Sequence, residues 1–447
     1  MAAGLGTRMK SKRAKVLHEL GGSPMIAHVV RAAQALGPGK ILVIVGHQAE
    51  EVERAVLAEA GELAGFVMQE KQRGTGDAVE SARGLLENSG SLVLVLSGDV
   101  PMIRTETLKK LIEHHGSTNS ACTILSVRLE NPTGYGRIIR DESGAFQKIV
   151  EQRDATDEQR QVKEINSGIY CFEARDLFEA LRKVEPRNEQ GEYYLTDVPE
   201  IILATGGTVS VFVHTEPREV YGINTRTELA EFENLMRRTA IRRLMTDGGV
   251  TFIDPSHAYI SSEAQIGQDS IIHPNVTIEG KSIIGERCVI RSGARITNSR
   301  LGDGVVVKDH SLIVDSEVAA NCSVGPFAHL RMNAVLEEKA TVGNFVEVKK
   351  SRLKRGTKAM HLTYLGDATI GERTNIGAGT VTCNFDGTNK HETIIEDDVK
   401  IGSDTMLVAP VRVGARSVTG AGSVVTKDVP PDSLVAGVPA HVKKKLK

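Results

Sequence analysis

The chain has no tryptophan, and aromatic residues make up only 4% of its 447 positions. It also lacks any apolar run near the roughly 18 residues that a membrane span needs, and an apolar signal region at its start. The formal net charge of -2 offers no broad positive field for nucleic acid. The five cysteines, Cys122, Cys171, Cys288, Cys322 and Cys383, are odd in number, scattered and without a CxxC pair. Neither a zinc site nor a disulfide framework is indicated, and a reducing cytoplasm is the expected setting. What is present instead is glycine, 44 in all. Many glycines with few rings suit a repeat fold whose narrow interior takes small and aliphatic side chains.

A repeat is visible in the second half. Isoleucine stands at 266, 272, 278, 284, 290 and 296, a strict period of six. Leu301, Val307, Ile313, Val318, Val324, Leu330, Leu336, Val342 and Val348 continue it with short slips. Ile370, Ile376, Ile395, Ile401, Leu407 and Val413 resume it after interruptions. Glycine often follows the aliphatic residue, and a small or β-branched residue recurs four places after it, as at Ser270, Val276, Cys288 and Ala294. Neither helix nor simple strand alternation gives that spacing. It predicts a left-handed parallel β-helix over 249–447, in which each short strand sends one aliphatic side chain inward and stacked turns bury it.

The first 226 residues read differently. The apolar runs at 41–47 and 91–99 suit buried strands of a parallel sheet, and helical patterns fill the space between them. An α/β, Rossmann-like domain over 1–226 is expected, with a nucleotide-sized crevice at the strand ends. Between the halves, 227–248 carries the pattern of a linker helix closed by Gly248 and Gly249.

Chemistry first appears in the opening turn, where Gly4, Gly6, Thr7 and Arg8 offer backbone N–H groups and positive charge to phosphates, with Lys15 beyond. Asp99 ends an apolar strand, where a metal-binding carboxylate belongs in such a sheet. In the second half the repeat breaks between Val348 and Ile370, and again between Ile376 and Ile395. Loops that leave a rigid coil are where sites sit. The first break is basic, with Lys349, Lys350, Arg352, Lys354, Arg355 and Lys358, and suits an anionic ligand as well as a solvated face. It also holds His361, whose ordinary pKa near neutrality fits a general base.

The motifs AAGLGTRM, KVLHEL, QEKQRGTGDA, SGDVP, PTGYGRI, EINSGIY and QGEYYLTD resemble those of sugar-nucleotide pyrophosphorylases. Together with GPFAHLR, VGNFVEVKK, HLTYLGDA and NIGAGTVTCNFDG they resemble the bacterial bifunctional N-acetylglucosamine-1-phosphate uridylyltransferase / glucosamine-1-phosphate acetyltransferase family along essentially the whole chain. The resemblance implies that Ala2, Ala3 and Gly4 line a uridine site and that Gln69, Gly74 and Thr75 meet the uracil. It implies that Lys15 contacts the nucleotide phosphates and Arg8 neutralises the leaving pyrophosphate. Gly98 belongs to the same nucleotide site, while Asp99 and Asn224 hold magnesium. Gly136, Glu151 and Asn166 contact N-acetylglucosamine.

For the second half it implies His361 as base with Glu347 supporting its charge. Arg331, Lys349, Tyr364, Asn375 and Lys390 bind glucosamine-1-phosphate, and Ala378, Asn384, Phe385, Ser403 and Ala421 line the acetyl-CoA site. A cytoplasmic homotrimer making UDP-N-acetylglucosamine from UTP, for peptidoglycan and lipopolysaccharide, is the implied whole.

Departures from the pattern accompany the resemblance. The family places a β-strand before the glycine turn, whereas Met1 already lies inside that motif, so the first strand is expected to be missing. The usual proline before Lys15 is Ala14, and Phe385 stands where tyrosine is common. The late coenzyme A arginine aligns near Gly437, leaving Lys443 to Lys445 as basic substitutes. Cys383 reads as a reactive thiol or as a small buried filler. Two other readings compete: a single-activity nucleotidylyltransferase with a regulatory β-helix, and a non-catalytic β-helix scaffold. The HLTYLGDA and NFDGTNK segments count against both.

Overall fold

The apolar runs become the strands Ile41–Val45 and Leu92–Val95 in the computed structural model, which describes residues 1–4 and 6–445. Ile41–Val45 pairs in parallel with Ala64–Met68. Leu92–Val95 instead joins a mixed sheet through Glu164–Glu173, which runs antiparallel to it and to Cys122–Arg128. That sheet continues through Val209–His214 on one side and through Arg137–Arg140 and Phe146–Val150 on the other. Glu164–Glu173 is buried along nearly its whole length, so its sequence shows no alternation of polar and apolar residues. The helices Met25–Gln34 and Ala49–Ala60 cover the parallel pair with Ile26, Val30, Val52 and Val56.

Between Ile41–Val45 and Leu92–Val95 runs an apolar cavity of about 580 Å³, lined by Ile26, Val30, Leu42, Ile44, Val93 and Val95 among others. Residues at the start of the chain close one end of it. The Met1 amine donates to Leu96 O at 2.7 Å and Ala2 N to Ile44 O at 2.9 Å, while Gly98 N donates to Met1 O at 2.9 Å. They bridge the two sheets.

The linker helix is observed as Arg226–Thr246. Thr225 and Glu228 cap it reciprocally, Thr225 N donating to Glu228 Oε2 at 3.0 Å and Glu228 N to Thr225 Oγ1 at 3.2 Å. At the far end Val250 N donates to Leu244 O at 3.1 Å, with Gly249 at φ +65°. The chain divides into the units Met1–Phe232 and Glu233–Lys447, so the helix begins in the first and continues in the second.

The second unit is a parallel β-coil. Each strand pairs with one a full circuit later, 18 residues on for Ile260 with Ile278 and 17 for Ile284 with Leu301. Ile272, Ile278, Ile290 and Ile296 are fully buried inside. Small residues at the inner corners also satisfy the turning backbone: Ser270 Oγ donates to Gly285 O at 2.9 Å and accepts from Cys288 N at 3.0 Å. The glycine after the aliphatic residue has a separate cause. A Cβ on Gly267 would lie 2.7 Å from Glu286 N, inside the backbone of the next circuit.

Candidate functional sites

Three stretches distant in sequence meet in the first unit. Gly6 adopts φ +61° and starts a tight turn that carries Arg8, and its missing Cβ leaves room for the Lys15 side chain. Lys15 Nζ forms an ion pair with Asp99 Oδ2 and donates to Asn224 Oδ1 at 3.0 Å. Arg8 donates to the same Asn224 oxygen at 2.9 Å. Asn224 is held in turn by its own N–H on Glu228 Oε2 at 2.6 Å and by Nδ2 on Gly222 O at 3.0 Å. Ile223 N on Asp99 O at 2.9 Å ties the two loops together.

Ala2 and Ala3 are buried beside this turn, with Gly4 exposed. Gln72 Nε2 donates to Ala3 O at 2.9 Å. Gln69 is buried; its Nε2 is occupied by Asp77 Oδ2 at 2.9 Å and Gly74 O at 3.2 Å, which leaves Oε1 to accept. Gly74, at φ +115°, packs where a Cβ would strike Tyr193 O, and Thr75 Oγ1 accepts from Leu195 N at 3.0 Å. A Cβ on Gly98 would lie 3.0 Å from Met1 O, so close packing alone demands glycine there.

Gly136, Glu151 and Asn166 form a third cluster. A Cβ on Gly136 would reach Glu151 Oε1 at 3.2 Å, and Asn166 N donates to Gly136 O at 2.9 Å. Asn166 Nδ2 donates to the buried Tyr170 hydroxyl at 2.7 Å. Burial raises the Glu151 carboxyl above its usual range, against a hydrogen bond from Thr196. Glu151 also lines a cavity of about 420 Å³ with Asp154, Tyr194 and Asp197. There burial, and then the charges of Glu200 and Asp154, raise Asp197 to about 6.

Sequence alone assigns no role to several supports. Gln72, Glu228 and the fully buried Arg137 occupy positions where only contact in space reveals a role. Arg137 spans Tyr135 O and Gln152 Oε1, the latter at 2.7 Å.

In the second unit the coil's register sorts the expected residues into two groups. Pairings of Ala359 with Ile376, Ile376 with Ile401 and Leu407 with Val425 place His361, Ala378, Ser403 and Ala421 at one corner of successive circuits. Small side chains above His361 leave that corner open. His361 is exposed and its Nδ1 lies 2.6 Å from Asn344 Oδ1, directly opposite it in the ladder. An amide oxygen only accepts, so Nδ1 carries the proton and Nε2 keeps its lone pair. Asn344 is therefore the hydrogen-bond partner of the histidine. Glu347 pairs with Arg331, at 2.6 Å.

The other group surrounds Lys349, which is buried. Arg331 and Lys349 face each other in the ladder, as do Glu347 and Tyr364. The Tyr364 hydroxyl lies back over Gly366, where a Cβ would collide with it. The second break in the repeat is a small hairpin in which Phe385 bridges Lys390 and His391 N donates to Asn384 O at 2.8 Å. It sets Lys390 beside Lys349, whose hydrogen bond and charge push the Lys390 ammonium below its ordinary value. Asn384 is buried at the hairpin's base, while Phe385 at its edge is exposed. Asn375 pairs with Lys358 and Lys400 and makes no hydrogen bond to His361 among the described residues. Burial raises the Cys383 thiol, which disfavours a reactive thiolate. Gly437 and Lys443 to Lys445 are exposed near the end of the coil.

A glycine turn facing a carboxylate, and a coil with an open histidine corner, define a nucleotidyltransferase joined to a hexapeptide-repeat acyltransferase. Family comparisons agree: residues 1–216 match nucleotidyl transferase, 255–353 the GMPPB C-terminal domain, and 392–427 bacterial transferase hexapeptide (six repeats). The coil is thus the left-handed β-helix that its six-residue period predicts.

Curated relatives agree along the full length. A protein of Syntrophomonas wolfei is 47% identical over 97% of this chain and 95% of its own, and one of Geobacillus sp. (strain WCH70) is 46% identical over 97% and 93%. One of Heliobacterium modesticaldum is 47% identical over 97% and 93%. All three are named Bifunctional protein GlmU, and this chain belongs to that family.

Proposed function

We infer that the chain makes UDP-N-acetylglucosamine in two steps, each on its own unit. Glucosamine-1-phosphate is acetylated by acetyl-CoA on the coil, and the product is then coupled to UTP on the α/β unit. The observation that carries this reading is the meeting of Arg8, Lys15, Asp99 and Asn224 from three separate stretches, in a chain whose other unit presents an open histidine corner.

On the coil, His361 Nε2 takes a proton from the amine as nitrogen attacks the thioester carbonyl carbon. The C–S bond breaks, and the departing sulfur is protonated to give the CoA thiol. Arg331, Lys349 and Lys390 supply positive charge for the sugar phosphate, with Tyr364 beside them. The family resemblance alone assigns Asn375 to the same subsite. Ala378, Ser403 and Ala421 leave space for acetyl-CoA along the corner, with Asn384 and Phe385 at its side.

On the α/β unit, a phosphate oxygen of N-acetylglucosamine-1-phosphate attacks the α-phosphorus of UTP and pyrophosphate leaves. Both reactants are anions, so alignment and charge neutralisation supply most of the acceleration. Arg8 and Lys15 give that charge, and Gln69 Oε1 accepts from the uracil N–H. Glu151 and Asn166 orient the sugar. Asp99 and Asn224 fit a magnesium ion, because both turn hard oxygens onto one point of positive charge, where the Lys15 ammonium lies. A bound magnesium ion would add charge neutralisation on the phosphates.

A homotrimer completes the reading. His310, Phe327 and Phe345 stack at 5.2 and 5.4 Å along one corner of the coil. Phe327, Phe345 and Leu362 are 49%, 56% and 62% exposed, and Phe345 and Leu362 directly follow Asn344 and His361 in the chain. An apolar ladder of this kind favours a neighbouring copy that covers it and helps enclose the acetyl-transfer site. Five free thiols and no helix long and apolar enough to cross a membrane, among the described residues, support a cytoplasmic setting. The decisive assay follows CoA release with glucosamine-1-phosphate, and pyrophosphate release with UTP and N-acetylglucosamine-1-phosphate, on the purified chain. Absence of either product removes the corresponding half of the reading.

A further inference from the structure

Asp367 lies one circuit after Lys349 at a turn of φ +48°, its N–H on Lys349 O at 3.0 Å and its own carbonyl accepting from Thr393 N at 3.1 Å. Both backbone bonds fix the carboxylate between the two interruptions of the repeat. Oδ2 accepts from Lys349 Nζ at 3.3 Å and from Asn384 Nδ2 at 2.5 Å, while Oδ1 pairs with Lys350 at 3.6 Å. Lys349 and Asn384 are both buried, and the Asp367 side chain is 10% exposed, so these bonds are made largely out of water.

The chemistry of the carboxylate determines what each partner can do. An ionised carboxylate only accepts, so the Asn384 amide must turn its NH₂ toward Asp367 and its carbonyl away. Among the described residues no hydrogen bond reaches that carbonyl, which leaves it to accept from a substrate N–H. Asp367 Oδ2 also steadies Lys349 against the ammonium of Lys390 crowded beside it. Three lysines around one carboxylate retain an excess of positive charge, as a phosphate dianion requires. Burial opposes ionisation of Asp367, but hydrogen bonds from Asn384 and Lys349 and the lysine charges hold its carboxyl below the usual range.

We propose that Asp367 is a positioning residue that aligns the sugar-phosphate subsite, through Lys349, and the acyl-donor subsite, through Asn384, on a single carboxylate oxygen. This rests on the acetyltransferase reading of the coil. It adds a coupling between the subsites: the ends that grip the two substrates share one anchor, so disturbing that anchor loosens both.

The test compares Asp367→Asn with the unaltered chain in CoA release, varying each substrate in turn, with pyrophosphate release by the same preparation as a control for folding. The expected result is a rise of roughly tenfold in KM for both glucosamine-1-phosphate and acetyl-CoA, the loss expected for hydrogen bonds to a charged group. Uridylyl transfer stays unchanged. A fall in thermal stability or kcat with both KM values unmoved, or a rise in only one KM, overturns the proposal. No CoA release from the unaltered chain instead refutes the acetyltransferase reading itself. Should Asp367→Asn not fold, the cycle of Lys349→Met, Asn384→Ala and their double variant decides. Shared anchoring makes the losses in kcat/KM fall short of the product of the singles, and strictly multiplicative losses count against it.

Discussion

At the scale of the residue, the two sites separate cleanly. His361→Ala should lower acetyl transfer by roughly 10²- to 10⁴-fold, the usual share of a general base, while leaving pyrophosphate release intact. Asp99→Ala should do the reverse, and parallel assays of CoA and pyrophosphate release check both. Asp197 gives a pH-dependent prediction. Its folded pKa is raised to about 6 from 3.8, so the folded state binds the proton more tightly and loses relative stability as pH rises through that range. Asp197→Asn should therefore stabilise the first unit by about 1–2 kcal/mol at pH 7.5, discounted for partial exposure, with the gain vanishing near pH 4. Thermal melts at both pH values test it. Residues such as His361 and Asp99 were legible because their chemistry stands inside recognisable motifs. Asn344 and Asp367 lie inside motifs too, yet their roles were not legible: each acts on a side chain 17 or 18 residues away, and only the coil's register makes them neighbours.

Among the elements, the helix Arg226–Thr246 and the coil were readable from hydrophobic spacing, and the mixed sheet less so. Glu164–Glu173 has the buried, non-alternating composition of a parallel strand yet runs antiparallel, a distinction composition does not encode. The helix start does more than cap. Glu228 holds both Thr225 N and Asn224 N, so Glu228→Ala should cost about 1 kcal/mol of stability and raise the KM for UTP as Asn224 loosens. A stability change with KM unmoved would confine Glu228 to the cap. On the coil, Gly366→Ala should push the Tyr364 hydroxyl out of place. The readout is a higher KM for glucosamine-1-phosphate, with KM for acetyl-CoA unchanged.

For the whole molecule, assembly is the property that single-chain patterns expressed least. The six-residue period identifies a flat-sided coil, but the ladder of His310, Phe327 and Phe345 arises from residues at one corner of successive circuits. On the proposed trimer, Phe345→Asp should shift the sedimentation of the protein from three chains toward one. It should also suppress acetyl transfer while sparing uridylyl transfer; an unchanged trimer would place the contact elsewhere.

The circuit between Ile376 and Ile401 takes 25 residues where its uninterrupted neighbours take 16 to 18, and the ladder on either side stays in step. The added length leaves and rejoins at a single corner, as the hairpin from Asn384 to His391. Chain length at that corner is thereby uncoupled from the rest of the architecture. Editing that hairpin, which carries Asn384, Phe385 and Lys390, is therefore expected to alter substrate binding while every rung of the scaffold is left alone.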